Sequence, residues 1–284
     1  MAWLRLFPVW VPRPVSSHTR LIQGLLCLGF QGTMEIFTCK VPHNSMASEI
    51  ALIAFYIGIL IYSVIIHEVS HGVMALWLGD LTAKYAGRLT LNPLKHIDPF
   101  GSVILPTVLA VTTGFAFGWA KPVPYNPYNL RNQKWGGVWV ALAGPLSNFL
   151  IATIATFIAA LVPLSSVAKT EIVKAFFGII RGGNFLNGIE YFGQTIAGNG
   201  ASITFGLALI FIFWNVVLGC FNLVPIPPLD GSKLLYALFP IPERTRFFLD
   251  QYGIFFLFII IFFFSYPISY FISTTFGFFL NLAV

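Results

Sequence analysis

His67, Glu68 and His71 form the part of the chain best equipped for chemistry. They lie in the run His67-Glu68-Val69-Ser70-His71, within a long apolar stretch. On a helix, positions i and i+4 share one face about a turn apart, so two imidazoles there can bind one zinc ion. The intervening Glu can then take a proton from the water that zinc makes acidic. The surroundings sharpen this reading. From Glu49 to Asp80 the only ionisable groups are these three and the phenols of Tyr56 and Tyr62. Ionisable side chains within a membrane helix are costly and mark functional sites. The competing reading is a short polar patch on a helix end, or a structural ion pair.

Two imidazoles do not complete a catalytic zinc site, which takes three protein ligands. His96, Asp98 and Asp230 are the candidates near apolar segments. Asp230 directly follows one such segment, in a turn stiffened by Pro225, Pro227 and Pro228 and released by Gly231. An Asp in that place can equally cap a helix over 231–238. Taken alone the two roles weigh about the same, and the incomplete pair at 67 and 71 favours the ligand.

These residues need a scaffold, and the composition says which kind. Of 284 residues, 57% are hydrophobic and 9% charged, against about 25% charged in soluble domains. The chain is therefore an integral membrane protein embedded in a lipid bilayer. Its net charge of +6 comes with no basic run and no aromatic-basic interleaving, which argues against a nucleic-acid partner. Cys27, Cys39 and Cys220 form no CxxC pair and no even-numbered framework, and Cys220 reads as a small packing residue.

Apolar spans are expected over 48–78, 137–164 and 203–224, with a further apolar stretch over 253–283 that Pro267 splits. That last stretch reads as one kinked span or two shorter helices. Gly79-Asp80 ends the first span. The small residues of Ala143-Gly144-Pro145-Leu146-Ser147-Asn148 allow close helix approach, and Asn148 can bond to a neighbour. Residues 165–202 read as a loop with an amphipathic helix near 168–180 at the interface. Three segments follow: a poorly ordered extension or leader over 1–47, a membrane-embedded core over 48–240, and C-terminal transmembrane helices over 241–284. The expected fold class is an all-α membrane protein, a polytopic helical bundle with a three-helix catalytic core and a re-entrant or hairpin element.

The hairpin follows from topology. His67 and His71 lie toward the end of the first span, and Asp230 follows the third. If they meet, those spans run parallel, and 137–164 supplies the return crossing. Residues 102–118, with Pro106, Gly114 and Gly118, then do not cross. An edge strand in this region could hold an extended substrate.

At this point the chain resembles the site-2 protease family of intramembrane zinc metallopeptidases. The resemblance covers roughly 48–240 and is carried by HEVSH at 67–71, GPLSN at 144–148 and NLVPIPPLDG at 222–231. It implies cleavage of transmembrane protein substrates, one zinc per chain held by His67, His71 and Asp230, and Glu68 as general base. It also implies a polar role near the scissile carbonyl for Asn222. The chain is most similar to the compact form, without an inserted PDZ-like segment or an appended CBS domain, which points to the plasma membrane of a prokaryote. NPLKHIDPFG and GWAKPVPYNP also look familiar from that branch but carry no assigned role. His96 reads as an interfacial loop residue, with a proton shuttle as the alternative. The rival functions are a proton or metal transport protein and a catalytically inactive relative. Lys84, Arg88, Lys95, Lys121, Arg131 and Lys134 on one side, against Lys169, Lys174 and Arg181 on the other, mildly place the zinc end in the cytoplasm.

Overall fold

Lipid offers the backbone no hydrogen-bond partners, so each apolar segment must satisfy its own N–H and C=O groups as a helix. The computed structural model describes residues 46–113, 118–181 and 184–284, and these form ten α-helices and no strand. Four are long and apolar enough to cross a membrane: α1 (Met46–Trp77), α4 (Gln133–Leu161), α7 (Gly200–Asn222) and α9 (Glu243–Phe263). Shorter helices connect or flank them: α2 (Thr82–Tyr85), α3 (Leu105–Thr113), α5 (Ser166–Arg181), α6 (Phe185–Ile196), α8 (Gly231–Leu238) and α10 (Ser265–Ala283). The expected extension lies outside the described residues, save for its last two, which begin α1.

Helices α1, α4 and α7 pack on one another at the centre, as the three-helix core requires. Their directions follow from the contacts. Asn148 of α4 meets His67, and Val140, earlier in α4, meets His71, so α4 runs antiparallel to α1. The Tyr56 and Trp214 rings are in contact, Ser63 bonds Asn215, and Asp230 beyond α7 meets His67. Hence α7 runs parallel to α1, as the ligand argument demands.

The two described ends of the stretch 102–118 lie side by side. A π-type turn at Pro99–Ile104 leads into α3, whose nine residues reach only about 14 Å. The chain is back at its start by Trp119, whose N–H donates to Gly101 O at 3.1 Å, while Ser102 Oγ donates to Trp119 O at 2.8 Å. Among the described residues the edge strand is not found. Residues 118–126 run without ladder bonds, because Pro122 and Pro124 remove the donors a strand would need.

Residues 165–202 also differ from expectation. The anticipated helix exists as α5, but α6 joins it, and the pair packs into the main core instead of forming a loop. Ile172, Ala175, Phe176 and Ile179 on α5, and Ile189, Phe192 and Ile196 on α6, recur at helical spacing and are buried. Gly188 permits the close approach: a Cβ there would lie 2.8 Å from the Ile179 Cα. At the same end, Lys169 is buried, and its ammonium donates to Ala160 O at 3.3 Å and Ala283 O at 3.0 Å. It thereby satisfies carbonyls at the C-terminal ends of α4 and α10. The apolar stretch 253–283 is two helices, broken at Phe264, with Pro267 in the first turn of α10, where a missing N–H costs nothing.

Candidate metal centre

The 32-residue helix α1 presents His67 and His71 on one face, their rings nearly perpendicular with centroids 4.6 Å apart. Each ring is oriented by a partner on α4. His71 Nδ1 lies 2.7 Å from Val140 O. A carbonyl only accepts, so Nδ1 carries the proton and Nε2 keeps its lone pair. His67 Nδ1 lies 2.6 Å from Asn148 Oδ1. Asn148 Nδ2 donates to Asn215 Oδ1 at 2.9 Å, and Asn215 Nδ2 donates to Ser63 Oγ at 2.9 Å. This buried chain of Ser63, Asn215 and Asn148 presents an amide oxygen to His67, so its Nε2 is also the free nitrogen.

Both Nε2 atoms face Asp230. Oδ2 is 3.1 Å from His67 Nε2 and 3.3 Å from His71 Nε2. A tetrahedral zinc with N and O ligands at about 2.0–2.1 Å holds them about 3.3–3.4 Å apart. The donor set therefore fits zinc in type and tautomer, and the two distances from Asp230 Oδ2 fit in spacing. The capping role weighed for Asp230 is not realised: its side chain makes no hydrogen bond to the first turn of α8. The turn before it is braced by Leu229, which packs with Leu257 and Ile261 of α9. Gly253 of α9 leaves room for this, since a Cβ there would sit 2.7 Å from Pro227 O.

Gly144 has a sharper purpose than helix approach in general. A Cβ on it would lie 2.5 Å from His71 Cε1 and Nε2 and 2.6 Å from His67 Cε1. Only glycine leaves both rings their places.

Glu68 is half-buried, and its Oε2 accepts the main-chain N–H of Val123 at 3.0 Å. The other two ligand candidates are elsewhere. His96 is buried, and its Nε2 donates to Thr90 O at 2.8 Å. Asp98 Oδ1 accepts the Gly101 N–H and caps the π-type turn. Asn222 lies at the end of α7, where its Nδ2 donates to Leu218 O at 3.0 Å on its own helix. Sequence reasoning missed Asn215, whose signal was a lone amide inside an apolar span. It also missed Asp80 as more than a helix stop. That buried carboxylate accepts from Thr82 N and Oγ1, Asn126 N and Asn129 Nδ2. Burial would raise its pKa, but these bonds hold it below the usual carboxylate range.

Residues 55–260 match the model of the Peptidase family M50. The chain belongs to this family, the site-2 protease family. Two bacterial relatives are both described as "Putative zinc metalloprotease". YwhC of Bacillus subtilis (strain 168) is 35% identical over 217 residues, covering 75% of this chain and 82% of the relative. Rip2 of Mycolicibacterium smegmatis (strain ATCC 700084 / mc(2)155) is 27% identical over 214 residues, covering 72% and 68%. No solved structure matches. The chain is an M50-type zinc metalloprotease of the membrane, and zinc is the metal that its family implies.

Proposed function

We propose that this protein is an intramembrane endopeptidase that hydrolyses peptide bonds of membrane-spanning proteins in a prokaryotic plasma membrane. One zinc per chain would be held by His67, His71 and Asp230. The observation that carries this reading is the convergence of two Nε2 atoms and one carboxylate oxygen within 4.8 Å, next to Glu68 on the same helix. Bound there, zinc would supply positive charge that acidifies a water and polarises the scissile carbonyl.

The chain's own groups do the rest. Asn148 and Val140 O fix the imidazoles in the Nδ1–H tautomer. Glu68 accepts the water proton and passes it to the leaving amine. Asn222 donates its amide to the oxygen that gains charge, after turning from Leu218 O. A substrate helix must unwind first, because its carbonyls are engaged in its own backbone bonds. The extended residues 118–126 run past Glu68 and offer a rail along which an unwound segment could lie.

The test is zinc content and cleavage of a synthetic transmembrane peptide by detergent-purified protein. Wild type should carry about one zinc per chain and cut the peptide. Glu68→Gln should keep zinc and lose cleavage, and Asp230→Ala should lose zinc. Cleavage by Glu68→Gln would remove the base, and full zinc in Asp230→Ala would remove that ligand. Zinc without cleavage in wild type would favour the inactive-relative or transport readings.

A further inference from the structure

Resting on the reading of Glu68 as the base, we propose that the Val123 main-chain N–H positions its carboxylate, and that Lys121–Asn126 is a fixed strap built to deliver that one donor. The sequence isolates the group. In Lys121-Pro122-Val123-Pro124-Tyr125 the prolines on both sides have no N–H, so Val123 holds the only donor between Lys121 and Tyr125. It meets Glu68 Oε2 at 3.0 Å and leaves Oε1 to take a proton.

The strap is held at both ends by buried groups. Lys121 N donates to His96 O at 2.9 Å, and Lys121 O accepts from Arg88 Nη2 at 2.7 Å. Arg88 and His96 are 7% and 2% exposed. The Arg88 guanidinium is spent on the strap's main chain, a costly use of a buried charge unless that main chain must not move; at His96 it is the main-chain carbonyl that holds the strap, while the ring donates to Thr90 O. At the far end Asn126 N donates to Asp80 Oδ2 at 2.7 Å. In the middle, Val123 packs onto Gly72, one residue beyond His71. A Cβ at Gly72 would lie 2.7 Å from Val123 Cγ1 and 2.6 Å from Leu89 Cδ2. Glycine at 72 thus sets how near the strap comes to the helix bearing the base. This gives GWAKPVPYNP and the Arg88–His96 region a common purpose. Val123 is a positioning residue acting through Glu68.

Val123 precedes proline and so sits in the extended region, which proline can adopt. Val123→Pro therefore keeps the backbone path while deleting the donor and placing Cδ where the N–H pointed, so that the Glu68 carboxylate must leave its position. Expected for Val123→Pro is a fall in kcat on the order of 10- to 100-fold on the transmembrane peptide, with KM within about twofold. Zinc content and Tm should match wild type. Val123→Ala, which keeps the N–H, should recover most of kcat. Hydrogen exchange reads the same bond without any turnover. The peptide containing Val123 should lose one slowly exchanging amide in Glu68→Ala and keep it in Glu68→Gln, which retains an acceptor oxygen. Wild-type kcat in Val123→Pro, or unchanged exchange in Glu68→Ala, overturns the proposal. Loss of zinc or a lower Tm in Val123→Pro also overturns it, since the segment is then only a brace. Activity in Glu68→Gln would instead sink the base reading, so the two failures are distinguishable.

Discussion

The two ends of the helical core are built on opposite principles. At the metal end, α1, α4 and α7 face one another with polar side chains: Ser63, His67, His71, Asn148 and Asn215, all buried. From Phe213 outward, two residues before Asn215 on α7, the core meets α5, α6 and α10 through aromatic rings. Phe176 touches Phe192, Phe213 and Phe276 at centroid distances of 5.5–6.2 Å in tilted or edge-on geometry. The apolar end gains from area and packing, which tolerate some rearrangement. In the polar end each group is useful only if its partner stays within hydrogen-bond reach, since an orphaned buried donor is costly.

Substitutions can break this contrast, from the most severe to the mildest. Gly144→Ala places a methyl against both imidazoles and should abolish zinc binding in protein that still folds, as read by metal analysis and Tm. Phe176→Ala should do the reverse. It should cost about 3–5 kcal/mol of stability by cavity formation, while folded protein still carries its zinc. Asn148→Ala lies between: His67 loses its orienting acceptor, and zinc affinity should fall about 10- to 100-fold, measured by chelator competition. Asp80→Asn should show the smallest effect and a pH dependence. The folded Asp80 carboxyl is held below its unfolded value. Its stabilisation is therefore complete above the ordinary carboxylate range and lost as pH falls through the lowered folded value. The Tm gap between wild type and Asp80→Asn should be widest near neutral pH and close as the solution becomes acidic. A gap that stays constant would refute this account.

Much of the metal end was legible in the sequence because its signals are local or forced by topology. The i, i+4 spacing of His67 and His71 needs only a helix, and the parallel course of α1 and α7 follows once Asp230 must reach them. The apolar segments announced themselves by length. What stayed hidden depends on which surfaces face each other. Nothing in the chain marks the polar-looking stretch 165–202 as a helical pair inside the core. Its apolar residues are spaced for burial, but glycines and charges dilute the average. Lys169 reads as a loop charge and is buried on two helix ends. Arg88 counts in the sequence as one loop charge among several and instead grips the Lys121 carbonyl. Asn215 is one amide among apolar neighbours, meaningful only beside Asn148. The roles of Gly144 and Gly72 appear only when a methyl group is placed on each.

The proposed metal donors are also separated in time. His67 and Asp230 lie 163 residues apart, so a ribosome makes both imidazoles long before the carboxylate that joins them. Between these events α4 must return and α7 must be threaded alongside α1. A nascent chain thus carries HEVSH as an incomplete pair of ligands, unable to close a three-donor cage. On the proposed ligand set, the order of synthesis would act as a safety catch, completing the site only after the bundle that confines it has been assembled.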